Sequence, residues 1–467
     1  MTEVDLVIVG AGPAGMSAAV TAAEIGLSVL LLDEQPAAGG QIYRNVAKAA
    51  GTRGDILGKD YTYGLALVAA VQNAAIGHVS DATVWKIGED GTVAYSVNGK
   101  ASVIQARKVI IATGALERPV PIPGWTLPGV MTAGAAQILL KQSGLVAERA
   151  VICGSGPLIY LIAQQMIRAG KPPLAIIETQ TKSDLLNAMR HLPHALRGWR
   201  YLMKGAKLLS EIKRAGVMRV TGAENLRIEG DAEVRALAFT HRGKITRIQC
   251  DLVLLHQGVV PNTQATRSLR LEHSWSSAQR CFHPITNEWG LSSLETVYVA
   301  GDGAGIGGAK AAEQAGAISA LHVAFALGFI TKADRDKRAA PILRLQSAEL
   351  ALRPFLDRAY QPSDQVLKPA DDTVICRCEE VTAGDIRAYA QLGCTGPNQT
   401  KAFGRSGMGP CQGRYCGLTV TELLSQETGT TPDAVGSYRI RPPLKPITLG
   451  ELATLEQTLT DETKGLI

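Results

Sequence analysis

Residues 5–34 leave the chain little freedom of fold. DLVIVG (5–10) reads as a buried parallel strand, GAGPAG (10–15) as a turn, SAAVTAAEIG (17–26) as a helix of small residues and SVLLLDE (28–34) as a second strand. A strand, helix and strand in such close succession form a right-handed crossover with the strands parallel, so an α/β sheet is expected. The turn is G-x-G-x-x-G. Gly10 permits the tight bend, Gly12 lets backbone approach a pyrophosphate, and Gly15 lets helix and strand pack closely. The unpaired N–H groups at the helix start favour phosphate. Glu34, about 20 residues on, can accept hydrogen bonds from ribose hydroxyls, with Asp33 as its neighbouring rival. The bland alternative, a glycine turn that binds nothing, does not account for strand, helix, strand and acid in register.

Two later segments extend the pattern. KVIIATGALERP (108–119) is a strand ending in Ala112-Thr113-Gly114, and TVYVAGDGAGIGGAKAAEQAG (296–316) is a strand, then Gly301-Asp302, then a small-residue helix. Together these resemble the flavoproteins with two dinucleotide-binding domains. The resemblance implies FAD in the first domain, lined by Gly40, Gln41, Ala112, Thr113, Gly114 and Gly301, with Asp302 on the ribityl chain. The helix starting near Gly308 would turn its positive end toward the flavin. Asp302 also has a plainer reading as a helix cap.

RAVICGSGPLIYLIAQQMIRAG (149–170) and PLAIIET (173–179) repeat the unit. Gly154 and Gly156 are present, Ile159 stands where the third glycine belongs, and Glu178 is the strand-end acid. Either a nucleotide binds here, NAD(H) being one candidate, or the fold is structural. DLVLLHQGVVPNT (251–263) leads back toward Gly301-Asp302, so the second unit is an insertion. The expected division is an FAD domain over 1–120 and 250–330 with an NAD-like insert over 121–249. No cysteine follows GGQIYR (39–44), and Cys153 and Cys250 are solitary, which disfavours thioredoxin or glutathione reductase activity. His256 and Gln257 are expected on a loop that could approach the flavin. Cys281 and Cys394 read as ordinary small residues, and His191 and His194 as surface histidines without a third ligand. Residues 190–214 hold seven Lys or Arg against one acid, Glu211: a solvated helix face, or a docking surface for a partner or anionic lipid.

Residues 331–370 read as a charged helical connector running into an extended segment, 371–430 as a small module and 431–467 as a tail. The module carries Cys376-x-Cys378, then 32 residues, then Cys411-x4-Cys416. The first pair lies on a tight loop before a helix beginning at Thr382, and the second around a helix start. Two thiolate pairs suit an iron–sulfur cluster; zinc and an empty site are the alternatives. Zinc knuckles favour C-x2–4-C, and C-x-C is strained for them. CRCEEV and GMGPCQGRYCG resemble the bacterioferritin-associated-ferredoxin-like [2Fe-2S] domain. Arg377, Arg405 and Arg414 offer positive surroundings for thiolates.

The eight cysteines do not form a disulfide framework, and a net charge of +6 on 467 residues gives no support to nucleic-acid binding. The apolar start lacks a basic n-region and no run reaches the ~20 apolar residues of a spanning helix. A cytoplasmic protein is expected, with peripheral membrane contact left open.

Over nearly its whole length, including VLLLDEQPAAGGQIYR, GSGPLIYL and YRIRPPLKPITLGELA, the chain resembles the alpha-type subunits of heteromeric flavin dehydrogenases of amino and imino acids. That family includes the A subunit of opine (octopine or nopaline) oxidase, the alpha subunit of D-hydroxyproline dehydrogenase and the B subunit of hydrogen cyanide synthase. The resemblance implies a catalytic beta subunit of the glycine/D-amino-acid oxidase type, room for a small third subunit, a second flavin (FMN) at a subunit interface, and a quinone- or dye-type acceptor. No acid–base constellation for amine oxidation is evident, so no catalytic residue is assigned here. The competing readings are an NAD(P)H-dependent acceptor reductase, a subunit of glycine-oxidising hydrogen cyanide synthase, and a scaffold with structural cofactors.

Overall fold

The computed structural model describes residues 3–455. Its first sheet is built on Glu3–Val9, which pairs in parallel with Val29–Leu32 on one side and with the far half of Lys100–Ile111 on the other. Gly77–Val79 extends the parallel sheet beyond Val29–Leu32, and Val297–Val299 lies on the other flank of Lys100–Ile111. The near half of that long strand turns back into an antiparallel meander with Thr92–Val97 and Thr83–Ile87. Leu6, Val7 and Ile8 are wholly buried, as a strand covered on both faces must be.

One face of this sheet carries the helices Pro13–Ile25 and Ala309–Ala326. They cross closely because small residues, chiefly Ala and Gly, line the contact. A Cβ on Gly316 would lie 1.9 Å from the Ala14 carbonyl oxygen, and one on Gly15 would lie 1.8 Å from that of Gly10. The small residues therefore bring the two helix starts to one point at the strand ends.

The second sheet is fully parallel, in the order Met218–Thr221, Ala175–Glu178, Ala150–Ser155, Leu252–Gln257, Val130–Thr132. Leu252–Gln257 thus belongs to the insert's sheet, which extends past residue 249. His256 and Gln257 are strand residues, 2% and 1% exposed, and not the loop residues expected from sequence. A two-stranded ribbon, Ala115–Glu117 against Val259–Pro261, carries the chain out of the first domain and back.

Beyond residue 331 the connector is helical through most of its length, as Lys332–Leu350, Arg353–Ala359 and Asp364–Leu367, and the extended half expected from sequence is absent. Pro354 sits at the start of its helix, where a missing N–H costs nothing. The cysteine module is not a separate bead. Ile375, Cys376, Cys416, Val420 and Leu423 share one apolar core with Val7, Val9, Ile111 and Val299 of the first sheet. Tyr438, Ile440 and Leu444 complete that core, so residues expected as tail are part of the module. The rest of the expected tail, after 455, lies outside the described residues.

Gly316→Ala tests the close helix crossing. It should lower stability by about 2 kcal/mol, since no flexible side chain can move aside for the new methyl. Thermal unfolding measures this, and an unchanged midpoint would contradict the crossing.

Candidate functional site

Four separated segments meet at the strand ends of the first sheet. A Cβ on Gly10 would lie 2.5 Å from the Ala112 carbonyl oxygen, one on Gly40 2.7 Å from Gly12 Cα, one on Gly301 2.8 Å from Ala14 Cβ, and one on Gly303 3.5 Å from the Gly114 carbonyl oxygen. At the first three, glycine is demanded by protein contact. At Gly12 it is not: the backbone is extended, and a Cβ would meet no protein atom nearer than 3.9 Å. Gly12 instead leaves open space at the start of a helix, where phosphate is favoured.

The two acids divide their work. Asp33 is buried; its Oδ2 accepts from the Ala11 N–H at 2.5 Å and its Oδ1 from the Gln35 N–H at 2.7 Å. Burial pushes its carboxyl pKa up, while those N–H groups pull it down. Asp33 thus braces the glycine loop, and the exposed Glu34 faces outward at the strand end, paired with Lys445 of the C-terminal segment. Asp302 Oδ1 accepts from the Gly307 and Gly308 N–H groups at 2.8 and 2.9 Å, which holds the turn before Ala309–Ala326. Thr113 and Gly114 are tied to Asn262, whose N–H donates to the Gly114 carbonyl at 2.9 Å.

Behind Gly40 and Gln41 lies a residue that no sequence motif marks. Lys141, 2% exposed, donates to the Gln41 carbonyl at 3.0 Å and to Gln137 Oε1 at 2.9 Å. Burial first, and Arg44 second, bring its pKa down to about 7.

The insert's corresponding site is filled by the protein itself. Glu178 is wholly buried and gripped by Arg219, with Nε to Oε1 at 3.1 Å and Nη2 to Oε2 at 2.9 Å. Tyr160 hydrogen-bonds the same carboxylate, and Tyr360 of the connector packs edge-on against Tyr160, centroids 6.3 Å apart. The Ser363 N–H donates to Gln257 Oε1 at 3.1 Å. At the glycine turn, the His256 ring would stand 2.9 Å from a Cβ on Gly156, and its Nδ1 is 2.6 Å from Glu117 Oε1. Ile159 is wholly buried. Burial pushes the Cys153 thiol up to about 12 and the Cys250 thiol up to about 11, so neither is a thiolate at neutral pH.

The four module cysteines come together as two pairs. Cys378 Sγ and Cys411 Sγ are 3.8 Å apart, and the Cys376 and Cys416 thiols hydrogen-bond one another. That bond, with backbone N–H groups of Gly407, Glu379 and Cys378, lowers Cys376 to about 6, while Cys416 is raised. The charges of Cys376 and Cys411 both act on Cys416, so the pairs sit side by side. Among the described residues no group of three or more His, Cys, Asp or Glu is arranged around a single metal ion. Gly409 is needed for the fit: a Cβ there would lie 2.2 Å from Cys378 Cβ. Tyr438, deeply buried, feels the charge of both Cys416 and Cys376. Of the expected arginines, Arg377 stacks over Trp125 at 5.3 Å and Arg405 pairs with Glu379 at 3.0 Å, whereas the buried Arg414 Nε has no hydrogen-bond partner among the described residues. The Gln264 side chain reaches the Gln412 carbonyl at 3.5 Å, linking the start of the helix after Val259–Pro261 to the second cysteine loop.

Comparison with known proteins agrees with this architecture. The pyridine nucleotide-disulphide oxidoreductase family model matches residues 4–325, and the sarcosine oxidase A3 domain matches 371–455. The A subunit of opine oxidase from Rhizobium meliloti is 44% identical over 97% of this chain and 88% of its own length. The HcnB subunit of hydrogen cyanide synthase from Pseudomonas aeruginosa is 32% identical over 94% of this chain and 96% of its own length. The crystal structure of L-proline dehydrogenase from P. horikoshii shares the fold, with a TM-score of 0.69 at 19% identity over 97% of this chain and 79% of its own.

Lys141 generates a pH test. Its folded pKa, about 7, lies below the ordinary 10.5, so between those values the unfolded chain holds a proton that the folded chain lacks. Stability relative to a Lys141→Met variant should therefore rise as pH climbs through that window. Unfolding midpoints of both proteins against pH check it; parallel curves would contradict a depressed pKa.

Proposed function

The chain belongs to the family of the opine oxidase A subunit, and from that premise we propose that it is the electron-relay subunit of a heteromeric dehydrogenase oxidising the C–N bond of a secondary-amine amino acid. It is a flavin-dependent oxidoreductase subunit with an FAD-type nucleotide domain. The substrate class is an opine such as octopine or nopaline, or D-hydroxyproline. Oxidation occurs in a partner beta subunit of the glycine/D-amino-acid oxidase type: the amine loses two electrons and two protons, and for an opine water splits the imine into a keto acid and an amine. The electrons pass through this chain to a quinone- or dye-type acceptor, which takes up two protons.

FAD supplies two-electron exchange when bound, and a [2Fe-2S] cluster one-electron exchange. Gly12 would leave room for the pyrophosphate at the helix start, with Gly10 and Gly15 holding the turn, and Glu34, exposed at the strand end, would take the adenosine ribose. Asp33 holds the loop from behind. Asp302, whose Oδ1 is engaged by Gly307 and Gly308, would hold the ribityl chain. Gly40, Gln41, Ala112, Thr113, Gly114 and Gly301 line the remainder.

Cys376, Cys378, Cys411 and Cys416 hold the cluster. Two thiolates on one tetrahedral metal, with metal–sulfur bonds of about 2.3 Å, stand about 3.8 Å apart, and the Cys378–Cys411 sulfur separation is 3.8 Å. Two neighbouring thiol pairs, with backbone N–H groups on the sulfur of one, suit a two-iron cluster better than a single zinc ion. This juxtaposition, in a module that shares a core with the nucleotide-binding sheet, carries the relay reading.

The NAD(P)H-reductase reading loses support because Glu178, which would take the second ribose, is closed off by Arg219, Tyr160 and the connector's Tyr360. The glycine-oxidising reading rests on the likeness to HcnB and differs in the partner's substrate.

The test is anaerobic. The chain is purified with its flavoprotein partner, and visible and EPR spectra are recorded before and after addition of octopine, nopaline or D-hydroxyproline. Flavin bleaching with a rhombic signal from a reduced [2Fe-2S] cluster is expected, and Cys411→Ser should abolish the signal. Bleaching by NADH alone, with no response to any amino acid, would contradict the relay.

A further inference from the structure

The crossover between Ala175–Glu178 and Met218–Thr221 is far longer than its strands require, and it carries a surface that the relay does not use. It runs through Lys182–Ala188, Met189–His191, Leu192–Ala195 and Leu196–Gly198 into the helix Trp199–Arg214. The inner face of that helix is satisfied: Leu208 and Ile212 are buried in one core with Ile162 and Met166. Its outer face and the turns before it are not. Leu186 is 72% exposed, Met203 62%, Leu196 56% and Trp199 53%. Trp199 and Met203, four residues apart, project from the same side of the helix.

The charge on this run is one-sided. Arg190, Arg197 and Arg200 have no carboxylate within ion-pair distance among the described residues. The acids against this run are engaged within the protein: Asp184 closes a capping box with Thr181, Glu211 is bound by Arg168 and Gln164 and feels the charge of Lys207, Asp60 pairs with Lys204, and Glu349 accepts from Tyr201. Long apolar side chains and a tryptophan exposed among cations without ion-pair partners make up a surface suited to a bilayer interface. No helix among the described residues is long and apolar enough to cross a membrane, so contact would be from one side.

We propose that residues 186–203 form a docking surface for an anionic phospholipid membrane, with Leu186, Leu196, Trp199 and Met203 entering the headgroup region and Arg197 and Arg200 pairing with lipid phosphates. Its purpose rests on the relay reading, because a quinone acceptor dissolves in lipid, but the binding can be tested without turnover.

The complex of this chain with its catalytic partner is sedimented with vesicles of phosphatidylcholine and phosphatidylglycerol, and with vesicles of phosphatidylcholine alone. Sedimentation with the anionic vesicles only, reversed by salt, is expected. The double variant Arg197→Glu/Arg200→Glu, and separately Trp199→Ser/Met203→Ser, should each weaken binding about tenfold while dye-linked activity stays unchanged. No sedimentation with anionic vesicles, or binding indifferent to both variants, overturns the proposal. So does loss of the catalytic partner from either variant, which would make the patch a subunit interface. Vesicle binding by a complex without a cluster EPR signal would overturn the relay and leave the surface standing.

Discussion

The structure depends on one shared apolar core. Val7, Val9, Ile111 and Val299 line the face of the first sheet turned away from its nucleotide helices, and Ile375, Cys376, Cys416, Val420 and Leu423 pack onto that face. Burying a large apolar side chain contributes about 1.5–3 kcal/mol, so the module cannot swing free without exposing the sheet. Two of the four thiol-bearing residues are core residues themselves. The strands that end at the glycine cleft therefore also set where the cysteines stand, and no flexible linker intervenes between the two redox candidates.

The cleft is braced from behind by groups that hold its loops to one another. Asp33 holds Ala11, and Asp302 holds Gly307 and Gly308. Lys141 holds the Gln41 carbonyl despite the burial that depresses its pKa. Polar groups placed this way fix the loop before anything binds. The second nucleotide fold is braced from within as well. Its acid, tyrosine and arginine satisfy one another, and the connector lies across them, so the insert works as a support that seats the connector and, through the Trp125 indole N–H to the Val374 carbonyl at 2.7 Å, the first cysteine strand.

What is legible in the sequence is local. The glycine turns can be read because a backbone bend, or a carbonyl under 2 Å from where a Cβ would sit, restricts the residue at that very position; Gly15 shows the rule. The four cysteines are legible from spacing, but their pairing is not: Cys376 meets Cys416 and Cys378 meets Cys411, each pair joining the two halves of the motif. What cannot be read comes from partners distant in the chain. Nothing near Glu178 announces that Tyr360 will cover it, and nothing near Gln41 announces Lys141. His256 and Gln257 look like loop residues because HQGVVP reads as a turn, yet parallel pairing with Gly154 and Ser155 keeps them in the strand. Tyr438 looks like tail because the pattern around it lacks periodicity, and it is held by side-chain hydrogen bonds to Ser406 and Thr400 inside the module.

With FAD in the cleft and a cluster on the four cysteines, as proposed, one rigid body would hold a two-electron and a one-electron carrier. Coulometric reduction of the purified chain tests it most directly. Uptake of about three electrons per chain is expected, two by the flavin and one by the cluster, with iron and acid-labile sulfide present in equal amounts. Uptake of only two electrons by a chain free of iron would contradict it.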